Sequence, residues 1–324
     1  MCDPPPDSTG ARRPRTSSTR RRLIVALAVG AALVLAALAY RYCWLTRPVG
    51  SGPAGPAVPR EAFATNWRTR PVLLVGLGDS VTAGFGARKG YSYFDRLVKN
   101  PPDEFADLRG ICLSAVFPTL QLTNLALSGS TSAQHAEKQL PRLPVANAVT
   151  LAVVVITTGG NDLIHNYGKT PPREHAMYGA TWEQAQPWIA NFERRLEIVL
   201  DEVQGKFPGG CEIFLANIYD PTDGLGDAER AGLATWPDAM RILAAYNDVI
   251  RHCATRRENV HLVNLYDVFL GHGIHCRQFW RKFYRAGDPH YWYHENLEDP
   301  NERGYDAIRR LFLTEMSKVA PRWR

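Results

Sequence analysis

Five short apolar runs, separated by stretches with helical spacing, constrain this chain more than any other feature. They are PVLLVGLG (Pro71 to Gly78), LQLTNLAL (Leu120 to Leu127), VTLAVVVITT (Val149 to Thr158), CEIFLANIY (Cys211 to Tyr219) and NVHLVNLY (Asn259 to Tyr266). Strands buried on both faces of a parallel sheet read as near-continuous apolar runs, whereas half-exposed strands alternate. Between the third and fourth runs, Thr181 and Gln184 form a capping-box start. Ile189, Phe192, Leu196, Val199, Leu200 and Val203 follow it at helical spacing. A second helix is expected from about Asp238 to Cys253. A last one is expected to begin at Asp299-Pro300-Asn301, with Asp299 as N-cap and Pro300 in the first turn. The alternation predicts a three-layer α/β/α sandwich around a mainly parallel five-stranded sheet. Such sheets bind ligands at the carboxyl ends of their strands.

Ahead of this pattern lies LIVALAVGAALVLAALAY, Leu23 to Tyr40, a run without a charge. As a helix it spans about 27 Å, close to the hydrocarbon thickness of a bilayer. It is longer than a usual signal-peptide core, so a retained transmembrane anchor (23–45) is expected over cleavage near Ala37-Leu38-Ala39. Arg12, Arg13, Arg15, Arg20, Arg21 and Arg22 precede it, and only Arg41 and Arg47 follow closely. By the positive-inside rule, residues 1–22 form a basic cytoplasmic tail and the body lies outside, periplasmic or extracellular. These eight arginines are opposed only by Asp3 and Asp7, so the 38 basic and 32 acidic residues become 30 of each from position 48 onward. A neutral body offers no basic groove, which excludes a nucleic-acid partner. Residues 46–70, with PVGSGPAGPAVPR at Pro48 to Arg60, read as a Pro/Gly/Ala-rich tether, leaving 71–324 as the folded domain.

The strand-end rule gives the loops their meaning. Gly78-Asp79-Ser80 follows the first run, SGSTS (Ser128 to Ser132) the second, and GGND (Gly159 to Asp162) the third. A dinucleotide cradle G-x-G-x-x-G would start at Gly76 and Gly78 but meets Val81 where its third glycine should stand, and no Gly-Lys-Ser/Thr occurs. A nucleophile mount fits better, because a serine at a strand-to-helix turn is exposed and its small neighbours let a carbonyl approach. Asp79 and Asp162 are read as loop braces that accept backbone N–H groups.

GDSVTAGFG, NLALSGSTS, GGND and DPNERGYDAI, in this order after the matching elements, resemble four blocks of the SGNH or GDSL hydrolases over residues 71 to 318. The resemblance implies the flavodoxin-like form of the sandwich and a serine esterase that needs no cofactor. It implies Ser80 as nucleophile and an oxyanion hole from the Ser80 N–H, the Gly129 N–H and the Asn161 amide. Three neutral donors suit a developing oxyanion.

The fifth block departs from the family, whose pattern sets Asp-x-x-His before Pro-Asn. Here Asn296 and Asp299 hold those positions. The general base is therefore sought upstream, where Asp288-Pro289-His290 is ranked first and His294 is the alternative. His272, His275, Cys276, His290 and His294 also raise a metal-assisted hydrolase, against which stands the missing H-E-x-x-H pattern. A non-catalytic binding module on the same fold is the further alternative, kept by the absent Asp-x-x-His. DPTDGLGD, Asp220 to Asp227, reads as a mobile loop beside the site. Tyr91, Tyr93, Phe94, Trp280, Tyr284, Tyr291, Trp292 and Tyr293 line an acyl or sugar pocket or serve as core and lid packing. Cys112, Cys211, Cys253 and Cys276 form one or two disulfides or stay as buried thiols. The expected protein is a membrane-tethered serine esterase. Its substrate is a small-molecule, lipid or glycan ester.

Overall fold

A computed structural model describes residues 1–2 and 16–323. The expected tail residues Asp3, Asp7, Arg12, Arg13 and Arg15 lie outside the described residues. The chain divides into two units, Met1–Thr46 and Arg47–Arg324. The first contains helix α1 (Thr16–Tyr40), and its stretch Arg20–Leu45 is long and apolar enough to cross a membrane.

In the second unit the five apolar runs form strands β1 (Val72–Leu77), β2 (Leu120–Asn124), β3 (Leu151–Ile156), β4 (Cys211–Ala216) and β5 (Val260–Val263). They make one sheet in the order β2-β1-β3-β4-β5, with every pairing parallel. Because successive side chains point to opposite faces, the central strands β1, β3 and β4 each feed two cores, whereas the edge strand β2 leaves Gln121 and Leu122 exposed. Val72, Leu74, Val153, Val155 and Phe214 join one core; Leu73, Val75, Ala152, Val154 and Ile213 join the other. Helices α2 (Ser80–Ala83) and α3 (Gly160–Ile164) are single turns that leave the ends of β1 and β3. Helix α4 (Trp182–Gly205) opens with the expected capping box of Thr181 and Gln184. It covers the second face together with α5 (Ala239–Thr255). Helix α6 (Glu302–Val319) covers the first face with Ile308, Phe312 and Met316.

Two features differ from the sequence reading. The N-cap of α6 is Asn301, not Asp299: its Oδ1 accepts from Arg303 N and Gly304 N at 3.0 and 3.1 Å. Its Nδ2 donates to the Tyr291 and Tyr293 carbonyls at 2.8 and 3.1 Å. With Pro300 ahead of the cap rather than inside the helix, Asp299 is released from capping. The second difference is the tether. Residues 48–59 have no helix or strand, as expected, but they are strapped to the domain. Ala54 N donates to Asp306 Oδ2 at 3.0 Å, Arg303 donates to the Ser51 and Gly52 carbonyls, and Ala54, Val58 and Trp67 are buried. Gly55, at φ +89°, lies so close to α6 that a Cβ there would stand 2.8 Å from the Ala307 Cα. Packed apolar side chains, not composition, decide that this stretch is held. All six cysteines are free thiols, and Cys112, Cys211, Cys253 and Cys276 are buried.

Asn301→Ala removes both cap bonds and both carbonyl bonds at once. It should cost about 1–3 kcal/mol, at the upper end for a lost cap. Denaturant unfolding of wild type and variant checks this. An unchanged midpoint would show that the cap carries no stability.

Candidate active site

The carboxyl edges of β1, β2 and β3 bring the three special loops together, and glycine geometry sets how closely. Gly78 sits at φ +131°, where a Cβ would lie 2.3 Å from the Thr157 carbonyl oxygen. No other residue lets the β1 loop lie against the end of β3 this closely. Its N–H donates to Gln139 Oε1 at 2.8 Å. Its carbonyl accepts from Gln139 Nε2, the Ser130 hydroxyl and Leu127 N at 2.7, 2.9 and 3.1 Å. Gly129, at φ +76°, makes the exposed turn before Ser130. Asn161 Nδ2 donates to the Ser130 carbonyl at 3.1 Å, tying the third loop to the second. One amide hydrogen is thereby used, and the second remains for another acceptor.

The two loop aspartates brace as expected. Asp79 Oδ1 accepts from Val81 N at 3.1 Å and from the Thr157 hydroxyl at 2.7 Å, which caps α2 and fixes Ser80 at its first position. Burial pushes the Asp79 carboxyl up to about 6, against the pull of those two bonds. Asp162 accepts from Ser132 N, the Ser132 hydroxyl and His175 Nδ1 at 2.8, 2.7 and 2.9 Å. Burial opposes its ionisation, but the His175 and Ser132 bonds hold it below the ordinary carboxylate range.

Ser80 and Asn161 line one cavity of about 160 Å³. Its walls are Leu163, Ile164, Ile218, Leu233, Trp236 and Met240 on one side and Asn296, Leu297 and Glu298 on the other. Gly129 is not among its lining residues. The eight aromatic residues singled out in the sequence are also elsewhere: Tyr93, Phe94, Tyr291, Trp292 and Tyr293 are buried in the first core, and Trp280 is exposed. Tyr167, Tyr178, Tyr219 and Trp236 line the cavity instead. They were missed because they belong to strand ends and loops with no aromatic clustering in sequence. Asp220 to Asp227 does flank the cavity, yet it is braced, with Asp220 accepting from Thr222 N and Gly224 N at 2.8 and 2.6 Å.

The histidines do not converge. His290 Nδ1 pairs with Asp288 Oδ1 at 2.5 Å, the expected pairing, but Asp288 is also held by Arg303 at 2.6 Å. The His290 ring lies against Gly50 of the strap, and neither residue lines the Ser80 cavity. His294 packs on Gly86 and edge-on to Phe85 at 5.9 Å, with its buried Nδ1 unpartnered. His272 stacks on Trp292 at 3.4 Å, and burial lowers it to about 4; His275 Nε2 pairs with Asp227 at 2.8 Å. With these separate partners the set His272, His275, His290 and His294 does not assemble a metal site among the described residues.

The acid near Ser80 is Asp299, which follows directly on Asn296, Leu297 and Glu298 in the cavity wall without itself lining the cavity. It is 2% exposed, and Asn296 Nδ2 donates to its Oδ2 at 2.7 Å while Asp299 N donates to Asn296 Oδ1 at 3.2 Å. Its Oδ1 is buried with no hydrogen-bond partner. Burial raises its carboxyl, against stabilisation by the nearby Ser80 hydroxyl, the Asn296 amide and His294. The Ser80 hydroxyl is thus beside the carboxylate without being aligned to it. The signal in sequence was the departure itself, since Asn296 and Asp299 occupy the positions of the family's Asp-x-x-His.

A parallel 2-1-3-4-5 sheet with a Gly-Asp-Ser turn after β1, a glycine turn after β2 and Gly-Gly-Asn-Asp after β3 defines a hydrolase of the SGNH type. The model of the GDSL-like lipase/acylhydrolase family matches residues 77–307, and the chain belongs to that family of ester-hydrolysing enzymes. Among curated proteins no sequence matches the chain. Solved structures similar to it include an acetylxylan esterase from Geobacillus stearothermophilus, 17% identical, covering 78% of this chain and 96% of its own, with TM-score 0.45. An extracellular lipase from Streptomyces rimosus is 18% identical and covers 78% and 100%, with TM-score 0.45. A phospholipase A1 from Streptomyces albidoflavus is 18% identical and covers 78% and 99%, with TM-score 0.43.

The raised Asp79 carboxyl has a sign that can be checked. Its folded pKa of about 6 lies above the ordinary 3.8, so the folded state binds the proton more tightly. Its contribution to stability is present below the ordinary value and is lost as pH rises through about 6. Asp79→Asn keeps an acceptor for Val81 N. The variant should gain on wild type between pH 4 and 7 by on the order of 2 kcal/mol. Thermal melts across that range test this. A constant difference in Tm would show that Asp79 does not titrate there.

Proposed function

We propose that the protein is a membrane-tethered serine esterase that cleaves O-acyl esters through an acyl-enzyme, with Ser80 as nucleophile. The observation that carries this reading is the placement of Ser80 and Asn161 on one largely apolar cavity at the carboxyl edge of the sheet. The acyl group enters the cavity between Leu233, Trp236 and Ile218, while the alcohol part stays toward solvent. A cavity of this lining favours an ester with an apolar acyl chain, as in a lipid, over a short acyl group on a glycan. Ser80 Oγ attacks the carbonyl carbon. The oxyanion takes hydrogen bonds from the Ser80 N–H, the Gly129 N–H and the free Asn161 amide hydrogen. Collapse expels the alcohol, and water then releases the acid from Ser80.

Hydrolysis of an acyl-chain series of aryl esters, with labelling by a serine-directed phosphonate, tests the reading. Label should sit on Ser80, Ser80→Ala should abolish turnover, and Asn161→Ala should lower kcat by about 10²-fold or more without unfolding. An unlabelled Ser80 and no hydrolysis at any chain length would leave a binding module on this fold.

The tether rests on α1 and on the charge asymmetry around it. Full-length chain should stay in carbonate-washed membranes, with its body open to protease added from outside the cell. A soluble product lacking α1 would instead make this helix a cleaved signal sequence.

A further inference from the structure

Resting on the reading of Ser80 as nucleophile, we infer that the proton acceptor for Ser80 is the Asp299 carboxylate, positioned by Asn296, in place of a histidine. Four observations support this. Asp299 is freed because Asn301 caps α6. The peptide hydrogen bond from His294 N to the Asp299 carbonyl at 2.7 Å holds the residue from behind. Asn296 grips Oδ2 at 2.7 Å. That grip leaves Oδ1 buried and unpartnered, with the Ser80 hydroxyl near the carboxylate and the preceding Asn296, Leu297 and Glu298 lining the Ser80 cavity. A buried carboxylate oxygen without a donor is costly, and the Ser80 hydroxyl, whose proton must leave, is a donor close to this carboxylate. Catalytic hydrogen bonds are often misaligned before substrate binds and tighten in the reacting complex.

The histidines lack this placement. The His290 ring is occupied by Asp288 and covered by Gly50, and His294 lies across Gly86 and Phe85 with its own Nδ1 unpaired. The carboxyl also has company that raises its basicity. That company is its buried surroundings, which raise the carboxyl, while His294 is the neighbour that opposes this by favouring the ionised form.

In acylation the Ser80 O–H bond breaks, its proton passes to Asp299 Oδ1, and the Oγ–carbon bond forms as the carbonyl pair moves onto oxygen. Collapse of the tetrahedral species breaks the ester C–O bond, and the neutral Asp299 returns the proton to the departing alkoxide. In deacylation water gives its proton to Asp299, and the acid product leaves as Ser80 regains it. Residue 299 is therefore needed ionised for both attacks, so activity falls as pH drops through its pKa.

The test uses the full chain with an aryl ester and a phosphonate probe. Asp299→Asn, of equal size, should lower kcat by about 10²–10⁴-fold and slow phosphonate labelling of Ser80, with an unchanged melting temperature. The double variant Asn296→Asp/Asp299→His rebuilds the Asp-x-x-His of the family at the same backbone positions. It should recover at least tenfold over Asp299→Asn and move the acid limb of the pH profile to the imidazole range. Asp299→Asn with wild-type turnover, or His290→Ala or His294→Ala falling to the Ser80→Ala level while Asp299→Asn does not, would overturn the inference. A double variant that folds but stays as slow as Asp299→Asn would overturn it too. All these comparisons presume label and turnover that depend on Ser80. Their absence in the wild type refutes the esterase reading instead.

Discussion

The Gly78 peptide unit is where the arrangement is locked. Its N–H and carbonyl are both claimed by Gln139, its carbonyl also takes the Ser130 hydroxyl and Leu127 N, and its Cα lies against the end of β3. Three loops that emerge from three neighbouring strands are thereby held by one peptide group. Each buried bond here replaces hydration lost on burial, so a missing partner would leave a costly orphan. Ser80 and Asn161 inherit their places from that clamp, through Asp79 on one side and the Ser130 carbonyl on the other.

The same economy of partners explains the opposite wall. Asn301 satisfies two N–H groups of α6 and two carbonyls of the preceding segment, so the chain can turn sharply at Pro300. That turn delivers Asn296, Leu297 and Glu298 to the cavity wall, with Asp299 bonded to Asn296 behind them. Two buried carboxyls, Asp79 and Asp299, then lie near Ser80, and loss of solvent raises both. Arg303 of α6 is spent on Asp288 and the strap carbonyls. The His290 and Asp288 pair is accordingly explained as part of the strap's anchorage.

Much of this was legible in one dimension. Apolar runs of strand length, alternating with helical spacing, specify a parallel sheet whose central strands are buried on both faces, while the second run forms an edge strand that leaves Leu122 exposed. The Gly-Asp-Ser, Ser-Gly-Ser and Gly-Gly-Asn-Asp loops could be assigned to one edge because a parallel sheet has one carboxyl edge. The brace at Asp79 was likewise readable, since an aspartate at a strand-to-helix turn has backbone N–H groups within reach of its own side chain, whereas the backbone partner of Asp162 is Ser132 in the neighbouring loop. The charge-free run at Leu23 to Tyr40 reports its length and composition directly.

What lay beyond the sequence were contacts between segments far apart in it. Whether Asp299 or Asn301 caps α6 depends on where Pro300 turns, and local preference allows either. The strap at residues 48–59 looks like a free linker by composition, and only its packing against the domain decides that Ala54 and Val58 are buried. The cavity walls come from Tyr167, Ile218, Leu233 and Trp236, and their meeting is a property of the fold. Histidine spacing could suggest a base but could not show that Asp288, Trp292, Asp227 and Gly86 each draw one ring away. Periodicity and local hydrogen bonding act within a few residues, so the sequence determined the sheet and its loops. Only the tertiary structure, through packing across more than two hundred residues from Ser80 to Asp299, decided which acid stands beside the serine.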